Sequence, residues 1–167
     1  LQLIIVTPEG KVETESEDTT HSISLPANAS SLSFQQENTA KSGAYIISKD
    51  YVTDPQRNSL LLHVFFRSWV AKSEAYKLYV YYDPSLNNSG MHDSAWSEDD
   101  ALLAADGTKA SALISEPAFA ETTNGYFGTS DGLTQLRAGN GIRNDYARAT
   151  AGNVVQGHHR ANRRLFL

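Results

Sequence analysis

Short apolar-rich runs alternate with polar turn residues along most of the chain. Leu1-Gln2-Leu3-Ile4-Ile5-Val6 is a strand-like run. Pro8-Glu9-Gly10 reads as the turn that ends it, with a polar strand starting at Lys11. His21 to Leu25 alternates, with Ile23 and Leu25 on one side, and Leu32 with Phe34 repeats the spacing. Tyr45 to Thr53 is rich in aromatic and β-branched residues and is stopped by Asp54-Pro55. Leu60 to Arg67 is apolar at successive positions, which predicts a central strand buried on both faces. Tyr76 to Tyr82 alternates again and ends at Asp83-Pro84. Runs of this length, spaced by turn residues, predict an all-β sandwich.

The second half carries hairpin signals. Leu102-Leu103-Ala104-Ala105 and Ala112-Leu113-Ile114 flank Asp106-Gly107, a dipeptide suited to a primed turn with positive φ at both central positions. Ala101 to Ala105 also has helix propensity, but the turn chemistry favours strand. Asn124-Gly125 and Asp131-Gly132 mark further turns. No amphipathic helix is predicted after Gly132. There is no repeat of fixed period and no low-complexity linker.

The 167 residues amount to one domain or a large part of one. The formal net charge is -5, and Arg160, Arg163 and Arg164 cluster near the end, so the body is more acidic than the total suggests. Such a body lacks the basic face of a nucleic-acid binder. No apolar run has the length of a membrane span. Cysteine is absent, which excludes disulfides and thiolate metal sites.

Three stretches could carry chemistry. Gly128-Thr129-Ser130-Asp131-Gly132 matches the G-x-S-x-G pattern of a nucleophile elbow, with Asp145 and then His158 or His159 in the order a hydrolase would need. The β-rich surroundings favour a glycine-rich turn instead. The loop from Asp83 to Asp93 is dense in oxygen-bearing side chains. Asp83, Asn87, Asn88 and Asp93 are of the type calcium takes, although the spacing is not that of an EF-hand. Loop-favouring backbone chemistry explains the same residues. Trp96, Tyr126 and Phe127, with Asp131 beside them, are candidates for contacting a sugar or a partner surface, since a pyranose offers an apolar face and hydroxyl edges. Core packing is the commoner use of such rings. No spacing marks two of the 19 acidic residues as the acid and base of a glycosidase.

The run from Leu78 to Asp93 (Leu78-Tyr79-Val80-Tyr81-Tyr82-Asp83-Pro84-Ser85-Leu86-Asn87-Asn88-Ser89-Gly90-Met91-His92-Asp93) closely resembles a segment of bacterial glucoamylases and glucodextranases, glycoside hydrolase family fifteen. In the same order, Leu1 to Val6, Asp18-Thr19-Thr20-His21, Tyr51 to Pro55, Asn124 to Gly132 and Ala151 to Val155 resemble that family too. The resemblance covers residues 1–156 and leaves 157–167 as an unaligned basic tail. It implies the N-terminal domain of such an enzyme, an antiparallel β super-sandwich. It also implies a partner (α/α)₆ barrel, in which two glutamates release glucose from α-glucan ends with inversion. No residue of that barrel falls in this chain, so no catalytic residue is carried over. The implied parent enzyme is secreted or periplasmic. Family members have strands before the position of Leu1 and after Gln156, so the sandwich is expected to be incomplete at both ends. An open edge of that kind predicts a homo-oligomer. The leading expectation is a non-catalytic domain that supports the folding and packing of the barrel. The alternatives are a carbohydrate-binding module and a serine hydrolase acting through Ser130.

Overall fold

The computed structural model describes residues 1–24, 33–69, 75–88, 91–143, 146–150, 158–159 and 165–167. Leu25, Leu32, Gly90 and Asp145 lie outside them, as do the side chains of His158 and His159. In chain order the elements are β1 (Gln2–Val6), β2 (Val12–Thr14), α1 (Glu15–Asp18), β3 (Thr19–Ser24), β4 (Ser33–Ala40), β5 (Tyr45–Asp54), β6 (Ser59–Ser68) and β7 (Lys77–Tyr81). There follow β8 (Ser94–Glu98), β9 (Ala101–Asp106), β10 (Lys109–Ile114), α2 (Gly132–Arg137), β11 (Arg148–Ala149), β12 (His158–His159) and β13 (Leu165–Phe166). Three sheets result, ordered β13-β6-β5-β4-β3, β12-β7-β1-β2 and β10-β9-β8-β11. Every pairing is antiparallel. The architecture is the all-β sandwich that the alternating pattern predicts.

Alternation decides what the large sheet buries. Tyr45, Ile47, Leu62, Val64 and Phe66 point inward and meet Leu3, Ile5, Leu78 and Val80 from β1 and β7. Each such side chain, fully buried, stabilises the fold by about 1.5–3 kcal/mol. Tyr45, Phe66 and Tyr76 form an aromatic triangle with centroids 5.3–5.9 Å apart. The opposite faces of β1 and β7 are covered as well. Ile4, Tyr79 and Tyr81 pack under Leu136, with Leu133 and Ile142 alongside. β1 and β7 are therefore the strands sandwiched on both sides, which explains the unbroken apolar run at the start of the chain.

β6 differs from its sequence expectation. Val64 and Phe66 are buried, but Leu60 and Leu61 are each 52% exposed and Phe65 39%. The long β5–β6 ladder, paired from Tyr45↔Ser68 to Asp54↔Ser59, runs past the edge of the opposing layer. Nothing among the described residues covers its far end. The turn between β9 and β10 also shifts by one residue. Lys109 pairs with Asp106, so Gly107 and Thr108 are the loop. Only Gly107 of these has positive φ (56°), the pattern of a II′ turn rather than a I′ turn. The β8–β9 hairpin turns at Asp99-Asp100, where Asp99 takes φ 50°.

One buried carboxylate links the layers. Thr14-Glu15-Ser16-Glu17 has the form of a capping box. The Glu17 amide donates to Thr14 Oγ1 at 3.2 Å, while Asp18, not Glu17, accepts the Thr14 amide at 2.9 Å. This turn, α1, aims Glu15 into the interior. Its Oε2 accepts from the Leu3 amide at 2.6 Å and from Lys49 Nζ at 2.5 Å, and its Oε1 accepts from Asn38 Nδ2 at 2.6 Å. The side chains of Lys49 and Glu15 are 3% and 7% exposed. Removing one partner of such a buried pair costs about 3–5 kcal/mol, because the other charge is left uncompensated. Next to it, Glu13 Oε2 accepts the Tyr45 phenol at 2.9 Å.

Burial, aided at Tyr45 by the Glu13 carboxylate, pushes the phenols of Tyr45, Tyr79 and Tyr81 above the ordinary tyrosine range. In the unfolded chain these groups ionise near pH 10. The unfolded state then releases protons that the folded state keeps, so stability falls as pH rises above about 10. Urea midpoints measured from pH 8 to 11 should drop over that interval. The 295 nm tyrosinate signal of these phenols should rise together with unfolding rather than before it.

Candidate functional site

The segment Tyr126 to Asp131 is wound tightly into the start of α2. The Tyr126 carbonyl accepts three amides, from Thr129 (3.0 Å), Ser130 (3.0 Å) and Asp131 (3.1 Å). Asp131 is 1% exposed. Its Oδ1 accepts the Thr134 amide at 3.0 Å and caps the helix, and its Oδ2 accepts from Gly128 N–H and from Thr134 Oγ1. A helix therefore does follow Gly132, contrary to the sequence expectation. Asp131 acts as an N-cap, and the Leu133–Leu136 side of the helix finds its apolar partners only once β1 and β7 are in place. Two apolar residues are too few to show periodicity in the sequence.

Ser130 is half-buried, and its Oγ accepts the Tyr126 amide at 3.1 Å. The hydroxyl thus fixes the loop. The hydrolase reading also needs Asp145 and the side chain of His158 or His159, which lie outside the described residues.

The candidate aromatics do not form one platform. Tyr126 packs on Ala95, Ala104 and Ala149, stands edge-on to Tyr146 at 5.3 Å and donates its phenol to the Thr150 carbonyl. Trp96 neighbours Ala95 in β8 and so points to the other face of that sheet. There Arg148 lies 4.1 Å from its ring centroid. Phe127 is 56% exposed and meets Tyr81 edge-on at 6.5 Å.

In the loop from Asp83 to Asp93, Asn87 and Asn88 take left-handed φ of 53° and 55°. Asn87 Nδ2 donates to the backbone oxygen and to Oδ2 of Asp106, both at 3.0 Å, which pins the loop to the β9–β10 turn. Asp93 is 2% exposed, whereas Asn88, Met91 and His92 face solvent. Burial first, then Asp106 and Asp83, push the Asp93 carboxyl above its ordinary range. The Leu86 amide pulls the other way, though its hydrogen bond goes to the Pro84 carbonyl at 3.1 Å. Among the described residues, no three Asp, Glu or His side chains form a ready-made ligand set.

A polar cleft of about 340 Å³, lined by Glu15, Ser16, His21, Gln36, Lys49 and Tyr51 among others, was not foreseen from the sequence. The one available signal was the Thr14-x-x-Glu17 cap that turns Glu15 inward. Phe34 stacks on Tyr51 at 4.4 Å beside the cleft. Beyond it the sheet overhangs. By register, Ile23, Phe34 and Leu60 share one face of its end, while Val52 and Leu61 share the other. These five are 38–60% exposed.

The three sheets and capped helix define a β-sandwich domain in which, among the described residues, three of the four buried acids, Glu13, Glu15 and Asp131, are bonded to protein partners, Asp93 being the fourth. The family described as glucodextranase domain N matches residues 1–164, and the chain belongs to that family. It is similar to a glucoamylase from Clostridium sp. (strain G0005), 28% identical over 161 residues, which are 94% of this chain and 23% of the relative. It also superposes on the crystal structure of a bacterial glucoamylase complexed with acarbose. There the TM-score is 0.89 and the identity 27%, with 99% of this chain and 25% of that one covered. The chain thus spans about a quarter of the length of these relatives.

A Cβ built on Gly125 would sit 2.3 Å from the Ser130 backbone oxygen, whereas one on Gly128 meets nothing within 4 Å. Gly125→Ala should therefore destabilise the domain by about 3 kcal/mol or more through forced backbone movement. Gly128→Ala should cost only the strain of a positive φ, about 1–2 kcal/mol. Chemical denaturation of the two variants checks the ranking. Equal losses would mean that the loop opens at Gly125 without resistance.

Proposed function

We propose that this chain is the non-catalytic N-terminal domain of a glucoamylase-type glycoside hydrolase acting on α-glucans. In this reading it supports the folding and packing of an (α/α)₆ catalytic domain elsewhere in the full protein, which would be secreted or periplasmic. Membership in the domain N family, and the quarter-length match to two glucoamylases, support the parent activity. The observation that carries the supporting role is the overhanging end of the large sheet. Ile23, Phe34, Val52, Leu60 and Leu61 are exposed on its two faces. Large apolar side chains left exposed together at one end of a sheet mark an interaction site. The sugar-contacting candidates, in contrast, are engaged separately: Tyr126 packs among alanines and bonds Thr150, Trp96 lies on the other side of that sheet under Arg148, and Phe127 meets Tyr81. That favours a packing role over a carbohydrate-binding one.

The purified chain should release no glucose from maltose, soluble starch or dextran, and affinity electrophoresis in starch gels should show no retardation. Release that scales with protein through repurification would overturn the non-catalytic assignment. Retardation would favour the carbohydrate-binding alternative.

Without its catalytic domain, the overhang should pair with a second copy. Light scattering after size-exclusion chromatography should show a dimer or larger assembly at micromolar concentration. Leu60→Lys with Leu61→Lys should shift it to monomer without loss of melting temperature, since neither side chain is buried. A wild-type chain that stays monomeric throughout would remove the overhang as a contact surface.

A further inference from the structure

Asp93, just before β8, stands next to the Ser94↔Ala105 pair and so opposite Asp106 at the end of β9, while Asp83 follows β7. Asp83 and Asp106 both act electrostatically on Asp93. Of the side chains that act on it, only His92, itself solvent-exposed, opposes the two carboxylates. Asp93 is the unusual member. It is 2% exposed, and neither of its carboxylate oxygens has a hydrogen-bond partner or contact with solvent. A buried carboxylate with both oxygens unbonded is among the most costly groups a fold can carry. Glu13, Glu15 and Asp131 show the usual remedy, since each is bonded to amides, hydroxyls or an ammonium group. Asp93 has no such partner, and its acidic neighbours make its isolation worse.

We propose that this corner of the fold binds a calcium ion, with Asp93 as the central ligand and Asp83 and Asp106 supplying further negative charge. The chemistry fits a hard cation that takes oxygen ligands in flexible geometry. Asp93 offers two oxygens that nothing else uses. The remaining positions would fall to backbone carbonyls and water, as is common at weak sites. Access is short, because Met91 and His92 beside the site face solvent. Asn87 holds the frame. By donating to the Asp106 carbonyl and carboxylate it fixes the loop against the β9–β10 turn while leaving the Asp93 carboxylate untouched. Magnesium is a poorer fit, since it demands near-ideal octahedral geometry and gives up water reluctantly.

The test uses the full chain after chelator treatment and buffer exchange. Calorimetric titration with calcium chloride should give one ion per chain, and millimolar calcium should raise the melting temperature by several degrees, as expected for a ligand that prefers the folded state. Asp93→Asn keeps the shape and removes the charge, and should weaken calcium binding at least tenfold. Asp106→Asn, at a half-buried position, keeps the fold if Asp93→Asn does not, and should weaken binding several-fold. Absence of calcium binding to the wild-type chain would overturn the proposal. So would binding left unchanged in both variants. An equal thermal shift from magnesium, or from sodium chloride at matched ionic strength, would overturn it too, by reducing the effect to charge screening.

Discussion

Glu15 is the constraint on which the rest of this sandwich depends. Its carboxylate lies between the two main layers and bonds the Leu3 amide of β1, the Asn38 amide group of β4 and the Lys49 ammonium of β5. Taking two charges out of water costs several kcal/mol for each ion, and only good geometry with every remaining lone pair satisfied offsets it. That condition fixes where β1 can sit relative to the large sheet. With β1 placed, β2 and β7 pair on its two sides, and the apolar contacts of Leu3, Ile5, Leu78 and Val80 follow. Hydrophobic burial supplies most of the driving force, but it is non-directional. The ionic junction supplies the register.

Two-sided burial of β1 and β7 then sets the role of the later chain. Their outer residues Ile4, Tyr79 and Tyr81 need a cover, and α2 supplies it through Leu133 and Leu136. A helix this short has little stability of its own, so it relies on its cap and on this docking. The glycine-rich segment before it is shaped for that purpose. Gly125 permits close backbone approach, the Tyr126 carbonyl gathers three amides, and Asp131 closes the first turn. Residues that resemble a nucleophile elbow here act as a helix-starting device. Polar groups of this segment that look chemical are spent on architecture, while the overhanging end of the large sheet leaves apolar side chains exposed. That distribution suits a domain that serves another domain.

The run of short strands, the β9–β10 hairpin and the family membership were all legible in the sequence. Alternation and turn residues report local geometry, and a family resemblance spread over residues 1–156 reports the whole. The hairpin from β8 to β9 was missed because Asp99-Asp100 carries no glycine, and aspartate enters the left-handed region only at some cost. β6 was expected to be buried on both faces, yet β1 and β7 hold that position. Apolar composition says that a strand can be buried, but only the extent of the opposing layer decides whether it is. Leu60 and Leu61 lie past that layer's edge. The pairing of Glu15 with Lys49 joins residues 34 positions apart, and no local pattern encodes which lysine will be drawn inside. Asp83, Asn87, Asn88 and Asp93 stood out in the sequence as one polar, oxygen-rich loop. It took the fold to bury Asp93, leave both its oxygens without a hydrogen bond among the described residues and bring Asp106 in from another strand. Sequence fixed the local conformations and their alternating faces, because these depend on neighbours along the chain. Tertiary structure decided burial, charge pairing and the overhang, because these depend on which distant strands close over which.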